Sequence, residues 1–226
     1  MNAQLQCGLY GSALAAAAYD GDIDAVQLLL ESGAVVNAQL QCGLYGSALA
    51  AAASYDGRIE IVQLLLESGA DVNAQLQCGQ YGSALVAAVA APILDTKLVQ
   101  LLLKFGADVN AQLLVGKYGS ALVAAITGDR WKYNSEGNID GTDSDFSIDI
   151  ESEGGSEDED RKGVILLLLE SGAEVNVQLQ VGEFGSALSA AHRVGDSEVV
   201  QLLIDHGAYG DGQQSGGDQP GPASYT

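Results

Sequence analysis

Cations are scarce in this chain. Nine lysines and arginines stand against thirty aspartates and glutamates, giving 226 residues a formal charge of −21. Nucleic-acid binding needs clustered positive charge, so that function class is excluded as the main activity. An electrostatic anchor is disfavoured as well, since the inner membrane leaflet is itself anionic. Long apolar runs are missing too. The longest, residues 84–91, falls well short of the roughly 18 residues that a membrane helix needs. The chain does not open on a charged-then-apolar stretch, so no secretory signal is expected. Only three prolines occur against 29 glycines, which predicts many tight turns without a proline-rich linker. The apolar fraction of 47% is that of a globular chain. An acidic, intracellular (cytoplasmic) protein without a membrane or nucleic-acid partner is the expectation.

What the chain has in abundance is self-similarity. Gly-Ser-Ala-Leu begins at Gly11, Gly46, Gly82, Gly119 and Gly185, with spacings of 35, 36, 37 and 66 residues. Val-Asn recurs at Val36–Asn37, Val72–Asn73, Val109–Asn110 and Val175–Asn176. A leucine-rich segment recurs at residues 27–30, 63–66, 100–103, 166–169 and 201–204. Five copies in fixed order are the signature of a stacked-repeat architecture.

Each copy reads as two short helices. Ser12, Ser47, Ser83, Ser120 and Ser186 have N-cap chemistry, because a hydroxyl can accept from an orphan N–H of the first turn. Alanine-rich runs follow, combining high helix propensity with little bulk. In the second helix Ile23, Val26, Leu29 and Leu30 form one apolar stripe that Ala25 and Leu28 widen, which calls for burial on several sides. Gly33, Gly69, Gly106, Gly172 and Gly207 lie just past its end, where a left-handed C-cap is wanted. One helix pair cannot bury its own apolar surface, but stacked pairs can, and the result is a solenoid.

Gly-Ser-Ala-Leu-x-Ala-Ala, a glycine turn, then Val-Gln-Leu-Leu-Leu-Glu-Ser-Gly-Ala-Asp-Val-Asn-Ala is similar to the ankyrin repeat. The variant resembles ankyrin arrays of filamentous fungi. The resemblance implies an all-α ankyrin-type helical solenoid with short β-hairpin fingers and about five repeats, spanning residues 1–208. The family's Thr-Pro-Leu-His is replaced here by Ser-Ala-Leu-Ala, Ser-Ala-Leu-Val or Ser-Ala-Leu-Ser, which removes the usual Thr–His hydrogen bond. Residues 37–47 make a connection two residues longer than a repeat of about 33 gives, expected at the finger tip. The implied function is a non-enzymatic protein–protein interaction module, binding an unknown protein partner through its finger tips and concave helix face. The alternative is a C-terminal sensor or autoinhibitory segment of a larger NACHT-type signalling ATPase, or a truncated product of one. The start at Met1–Asn2, inside a finger, leads to the expectation of a monomer or a piece of a longer chain.

The fourth copy is interrupted. Residues 129–162 hold 12 acidic and 4 basic residues, a net of −8. Such a composition buries too little to offset ordering entropy, so a disordered acidic loop is expected. Trp131, Tyr133 and Phe146 within it could pin it to the array. Ser156 and Thr142 sit in acid-directed phosphorylation contexts, although a charge run is usually just solvated. Residues 209–226 read as a flexible tail.

No catalytic, cofactor or metal site is expected. Cys7, Cys42 and Cys78 share one repeat position that Val115 and Val181 fill later, which suits a small apolar filler. No Cys-x-x-Cys pair supports zinc. His192 and His206 belong to no recognisable catalytic set, and no glycine-rich phosphate loop is present. Partner-binding candidates lie in the fingers. Leu44, Gln80, Lys117 and Glu183 occupy one equivalent position and differ in each copy; this is either partner discrimination or drift at exposed sites. Tyr45, Tyr81 and Tyr118 follow them, with Tyr10 and Phe184 at the ends of the series. They read either as interface anchors or as a ladder packing finger to finger. Gln41 and Gln77, with Gln39 and Gln75, add amides at the tips.

Overall fold

The computed structural model describes residues 10–41, 43–55, 58–128 and 157–210. Among these residues ten α-helices follow one another: α1 (Ala13–Asp20), α2 (Ile23–Glu31), α3 (Ala48–Ala53), α4 (Ile59–Glu67), α5 (Ala84–Ala90), α6 (Thr96–Lys104), α7 (Ala121–Thr127), α8 (Glu157–Glu170), α9 (Ala187–Val194) and α10 (Ser197–Asp205). Odd-numbered helices stack on one another as an inner row. The outer helices α2, α4, α6 and α8 stack in a second row, and each pairs with the inner helix of its own repeat. The molecule is an all-α repeat solenoid.

Local chemistry starts and stops these helices. Every inner helix begins at a serine whose hydroxyl accepts from the N–H three residues on: Ala15, Ala50, Val86, Val123 and Ser189, at 3.1 to 3.3 Å. Each such cap is worth about 1 kcal/mol. Asp22, Asp95 and Asp196 cap outer helices in the same way. The outer helices end in a Schellman motif. In the first, Gly33 at φ +85° donates to the Leu30 carbonyl and Ala34 donates to that of Leu29. The same pair of bonds recurs at Gly69, Gly106, Gly172 and Gly207.

Packing rests on small side chains inside and leucines between rows. All residues of α3, α5 and α7 are buried. Leu65, Leu102, Leu168 and Leu203 have no exposed surface. Burial of each contributes roughly 1.5–3 kcal/mol.

Three expectations change. No strand occurs among the described residues, so the fingers are turns rather than β-hairpins. Within a finger, Leu40 N–H donates to the Gly46 carbonyl at 3.2 Å, and Leu76 N–H donates to that of Gly82. Two positive-φ glycines, Gly43 and Gly46 in that finger, interrupt any extended run. Residues 157–162, expected from sequence within the acidic loop of residues 129–162, form the start of α8. Arg161 is buried there and its Nη1 donates to the Ala125 carbonyl at 3.0 Å, closing the C-terminal end of α7. Residues 129–156, with Trp131, Tyr133, Thr142, Phe146 and Ser156, lie outside the described residues, as do residues 211–226. Tyr209, placed in the tail from sequence, is tied to the array: its N–H donates to Asn176 Oδ1 at 3.1 Å.

Candidate functional site

Each finger carries a Gly-x-Tyr/Phe-Gly segment, and stacking of successive fingers explains both glycines. Gly79, at φ +98°, lies against the neighbouring finger so closely that a Cβ would come within 2.6 Å of the Leu44 carbonyl oxygen. At Gly46, φ +75°, a Cβ would meet the Cys78 carbonyl oxygen at 2.6 Å. Between these glycines sit the two positions singled out from sequence.

The first is the varied one. Gln80 N–H donates to the Leu44 carbonyl at 2.9 Å, Lys117 N–H to Gln80 at 3.1 Å, and Glu183 N–H to Lys117 at 3.0 Å. The structure thus brings all four varied residues together in one row, joined through their own backbones. Glu183 is exposed, while Leu44, Gln80 and Lys117 are half-buried. Lys117 Nζ lies 4.8 Å from the centre of the Tyr118 ring, and the Arg193 guanidinium lies 5.3 Å from that of Phe184. Gln41 and Gln77 are exposed at the tips. Gln39 and Gln75 reach across with their amides to the Gln75 and Gln112 carbonyls, both at 3.4 Å.

The second position is inside. Tyr45, Tyr81 and Tyr118 are 7%, 6% and 2% exposed, so they do not offer their rings to a partner. They stack on one another instead. Ring centres are 6.0 Å apart for Tyr10–Tyr45, 6.2 Å for Tyr45–Tyr81 and 6.4 Å for Tyr81–Tyr118, with planes within 18° of parallel. Such pairs add about 0.5–1.5 kcal/mol beyond area burial. Of the two sequence readings of these tyrosines, packing from finger to finger is the one that the geometry supports. Burial and a hydrogen bond with Tyr19 push the Tyr45 phenol far above its ordinary range. The helix face expected to share in partner binding is likewise closed in the middle repeats, because α3, α5 and α7 leave no side chain exposed. Finger edges and outer helices carry the accessible groups.

Sequence reasoning assigned the Val-Asn pair no role, and the structure supplies one. Asn37 Nδ2 donates to the Gly69 carbonyl at 2.8 Å while its Oδ1 accepts from Asp71 N–H at 2.8 Å. Asn73, Asn110 and Asn176 repeat this two-bond clasp on the next copy. Strict recurrence of a polar residue beside an apolar one was the available signal.

His192 and His206 are exposed in successive helical segments, and the His206 ring meets its own helix at the Leu202 carbonyl. Cys78 donates its thiol to the Leu40 carbonyl at 3.0 Å, while Cys7 and Cys42 lie outside the described residues. No group of three His, Cys, Asp or Glu side chains there could hold a metal ion. No helix among them is long and apolar enough to cross a membrane. A notch of about 10 Å³ lies between Lys117, Tyr118, Thr127, Gly128, Glu183 and Phe184, far smaller than the roughly 300–1,000 Å³ of small-molecule sites.

Among curated proteins, none matches the chain. A family model for ankyrin repeats, in three copies, matches residues 1–76. The helix pair, serine cap, Schellman end and asparagine clasp described for that part continue through the later copies. Residues 1–76 are thus similar to the ankyrin-repeat family.

Proposed function

We propose that this array is a protein–protein interaction module whose partner-reading element is the row Leu44, Gln80, Lys117 and Glu183. Ankyrin repeats generally mediate protein–protein interaction and are typically non-catalytic, and that is the coarse function carried here. The finer reading rests on one observation: a backbone ladder runs through the four residues that differ from copy to copy. Their main chains are fixed by stacking, so their side chains vary on a constant frame. Binding to a pre-ordered frame loses little conformational entropy. The row passes from apolar to amide to cation to anion. A complementary partner segment therefore meets an apolar end at Leu44 and a charged end at Lys117 and Glu183. Exposed Gln41 and Gln77 flank the row and supply hydrogen bonds at its rim.

The test compares the wild-type chain with a Lys117→Glu, Glu183→Lys double variant in affinity capture from a lysate of the source cells. Circular dichroism and melting first establish that both are folded alike. A protein captured by the wild type and at least tenfold weaker on the variant supports the row. Equal capture by both moves the binding surface elsewhere.

A further inference from the structure

Each outer helix carries one exposed polar stripe. In three copies it reads acid, glutamine, acid: Asp24, Gln27 and Glu31 in α2, Glu60, Gln63 and Glu67 in α4, and Glu198, Gln201 and Asp205 in α10. Within each of these stripes the glutamine amide donates to the carboxylate four residues on, at 3.0, 2.7 and 2.8 Å. The donor is satisfied inside its own helix.

The third copy reverses the pattern. Lys97, Gln100 and Lys104 hold the same three places in α6, and all three are exposed. Lys104 stands where the other copies have a carboxylate, so Gln100 lacks the acceptor that its counterparts use. Among the described residues neither lysine makes an ion pair or a side-chain hydrogen bond. An amide and two ammonium groups thus form a row of donors. Apolar groups stand at both ends of it. Phe105, 40% exposed, follows Lys104 where the other copies have serine or histidine. Ile93, 49% exposed, lies before Lys97 in the connection of residues 91–95 between α5 and α6. On α8, which packs against α6, Leu166 takes the place of the glutamine and is exposed.

This face lies within the array, flanked by α4 on one side and α8 on the other, so its exposure does not depend on what precedes or follows the described copies. Ammonium and amide donors call for carboxylate acceptors, and charge-assisted bonds of that kind are the stronger ones. We propose that the α6 face docks an extended acidic segment of a partner protein, with two carboxylates three residues apart and an apolar residue at each end. Lys97 and Lys104 are seven positions apart in the helix. That is about 10 Å of helix rise, which three residues of extended chain span at about 3.3 Å each. The carboxylates take the two lysines, a peptide carbonyl between them accepts from Gln100, and the flanking apolar side chains cover Ile93 and Phe105. The acids of α4 oppose the approach. Packed helix axes lie about 8–10 Å apart, about one Debye length at physiological ionic strength, so at contact the lysines dominate. This surface is separate from the finger row, so either assignment can fail alone.

The test titrates the isotope-labelled full chain with the synthetic peptide Gly-Leu-Glu-Ser-Ser-Glu-Leu-Gly and follows amide shifts by NMR. Saturable shifts clustered at Lys97, Gln100, Lys104, Phe105 and Leu166 are expected. The triple variant Lys97→Glu, Lys104→Glu, Phe105→Ser gives α6 the exposed residues that α4 already carries, so it keeps a pattern that folds in this array. It is expected to weaken binding at least tenfold. Lys162→Gln, which removes a cation already paired with Glu198, is expected to leave binding within about twofold. The proposal is overturned by a lack of saturable shifts, by shifts confined to the fingers, or by equal binding to the triple variant. Equal weakening by Lys162→Gln, or equal binding of a peptide with glutamine in place of glutamate, overturns it as well. So does binding that emerges only after residues 140–153 are replaced by a glycine–serine linker, because the occupant is then a segment of this chain.

Discussion

Gly79 and Leu44, from successive fingers, approach so closely that a single methyl on the glycine would sit 2.6 Å from the leucine carbonyl oxygen. The glycine also holds φ +98°, a conformation that L side chains rarely adopt. Both facts arise from one need, the passage of two backbones at hydrogen-bonding distance beside the Gln80–Leu44 rung.

Gly79→Ala is therefore expected to destabilise the array by about 1–3 kcal/mol, the usual cost of a strained backbone position, plus whatever displacement the rung suffers. Gly163→Ala is the matched control. That residue lies inside α8 with open space around its Cβ direction, so alanine there should stabilise by about 0.5–1 kcal/mol. Urea denaturation of the two variants gives opposite signs if stacking, rather than glycine content, sets the requirement.

Leu65 in the second copy and Leu28 in the first hold adjacent, non-equivalent positions of their outer helices and should respond differently. Leu65 has no exposed surface, so Leu65→Ala should cost roughly 2–5 kcal/mol through lost transfer energy and a cavity. Leu28 is largely exposed, and Leu28→Ala should cost about 1 kcal/mol or less. Equal losses would contradict the described stacking.

Asn73 makes two bonds to the next copy, at 2.9 and 2.8 Å. At about 0.5–1.5 kcal/mol per bond, Asn73→Ala should lower stability by roughly 1–3 kcal/mol, read from the denaturation midpoint. Hydrogen exchange should rise at Asp108, whose N–H loses its acceptor.

Alkaline pH should weaken the tyrosine ladder. The Tyr45 phenol is raised above its ordinary value of 10.0, by burial first and by the Tyr19 hydrogen bond second. A raised folded value means that the stability it carries is fully present below about pH 10 and is lost as pH climbs above it. Tyr10 is raised as well, chiefly by burial. A melting temperature that is flat below pH 10 and falls above it is expected, and Tyr45→Phe should remove part of the fall while keeping the stacked ring.

How much of this was legible depended on how far each interaction reaches along the chain. Serine caps and C-terminal glycines act within a few residues, so their positions could be read directly. Asn37 was conspicuous but opaque, since its partners, Gly69 and Asp71, lie a whole repeat away. Tyr45 and Leu44 are adjacent and equally periodic, and spacing alone does not say which one turns inward. Arg161 was lost in the acidic composition around it, because its buried bond to the Ala125 carbonyl depends on the two sides of the interruption meeting in space. The row of varied residues was found by comparing copies; that a backbone ladder joins them required the fold.

The links between successive fingers have a mechanical outcome. Backbone rung, asparagine clasp and stacked ring each join a copy to the next one only. Load applied at one tip is therefore handed on from neighbour to neighbour, with the leucine-packed rows behind as the common support.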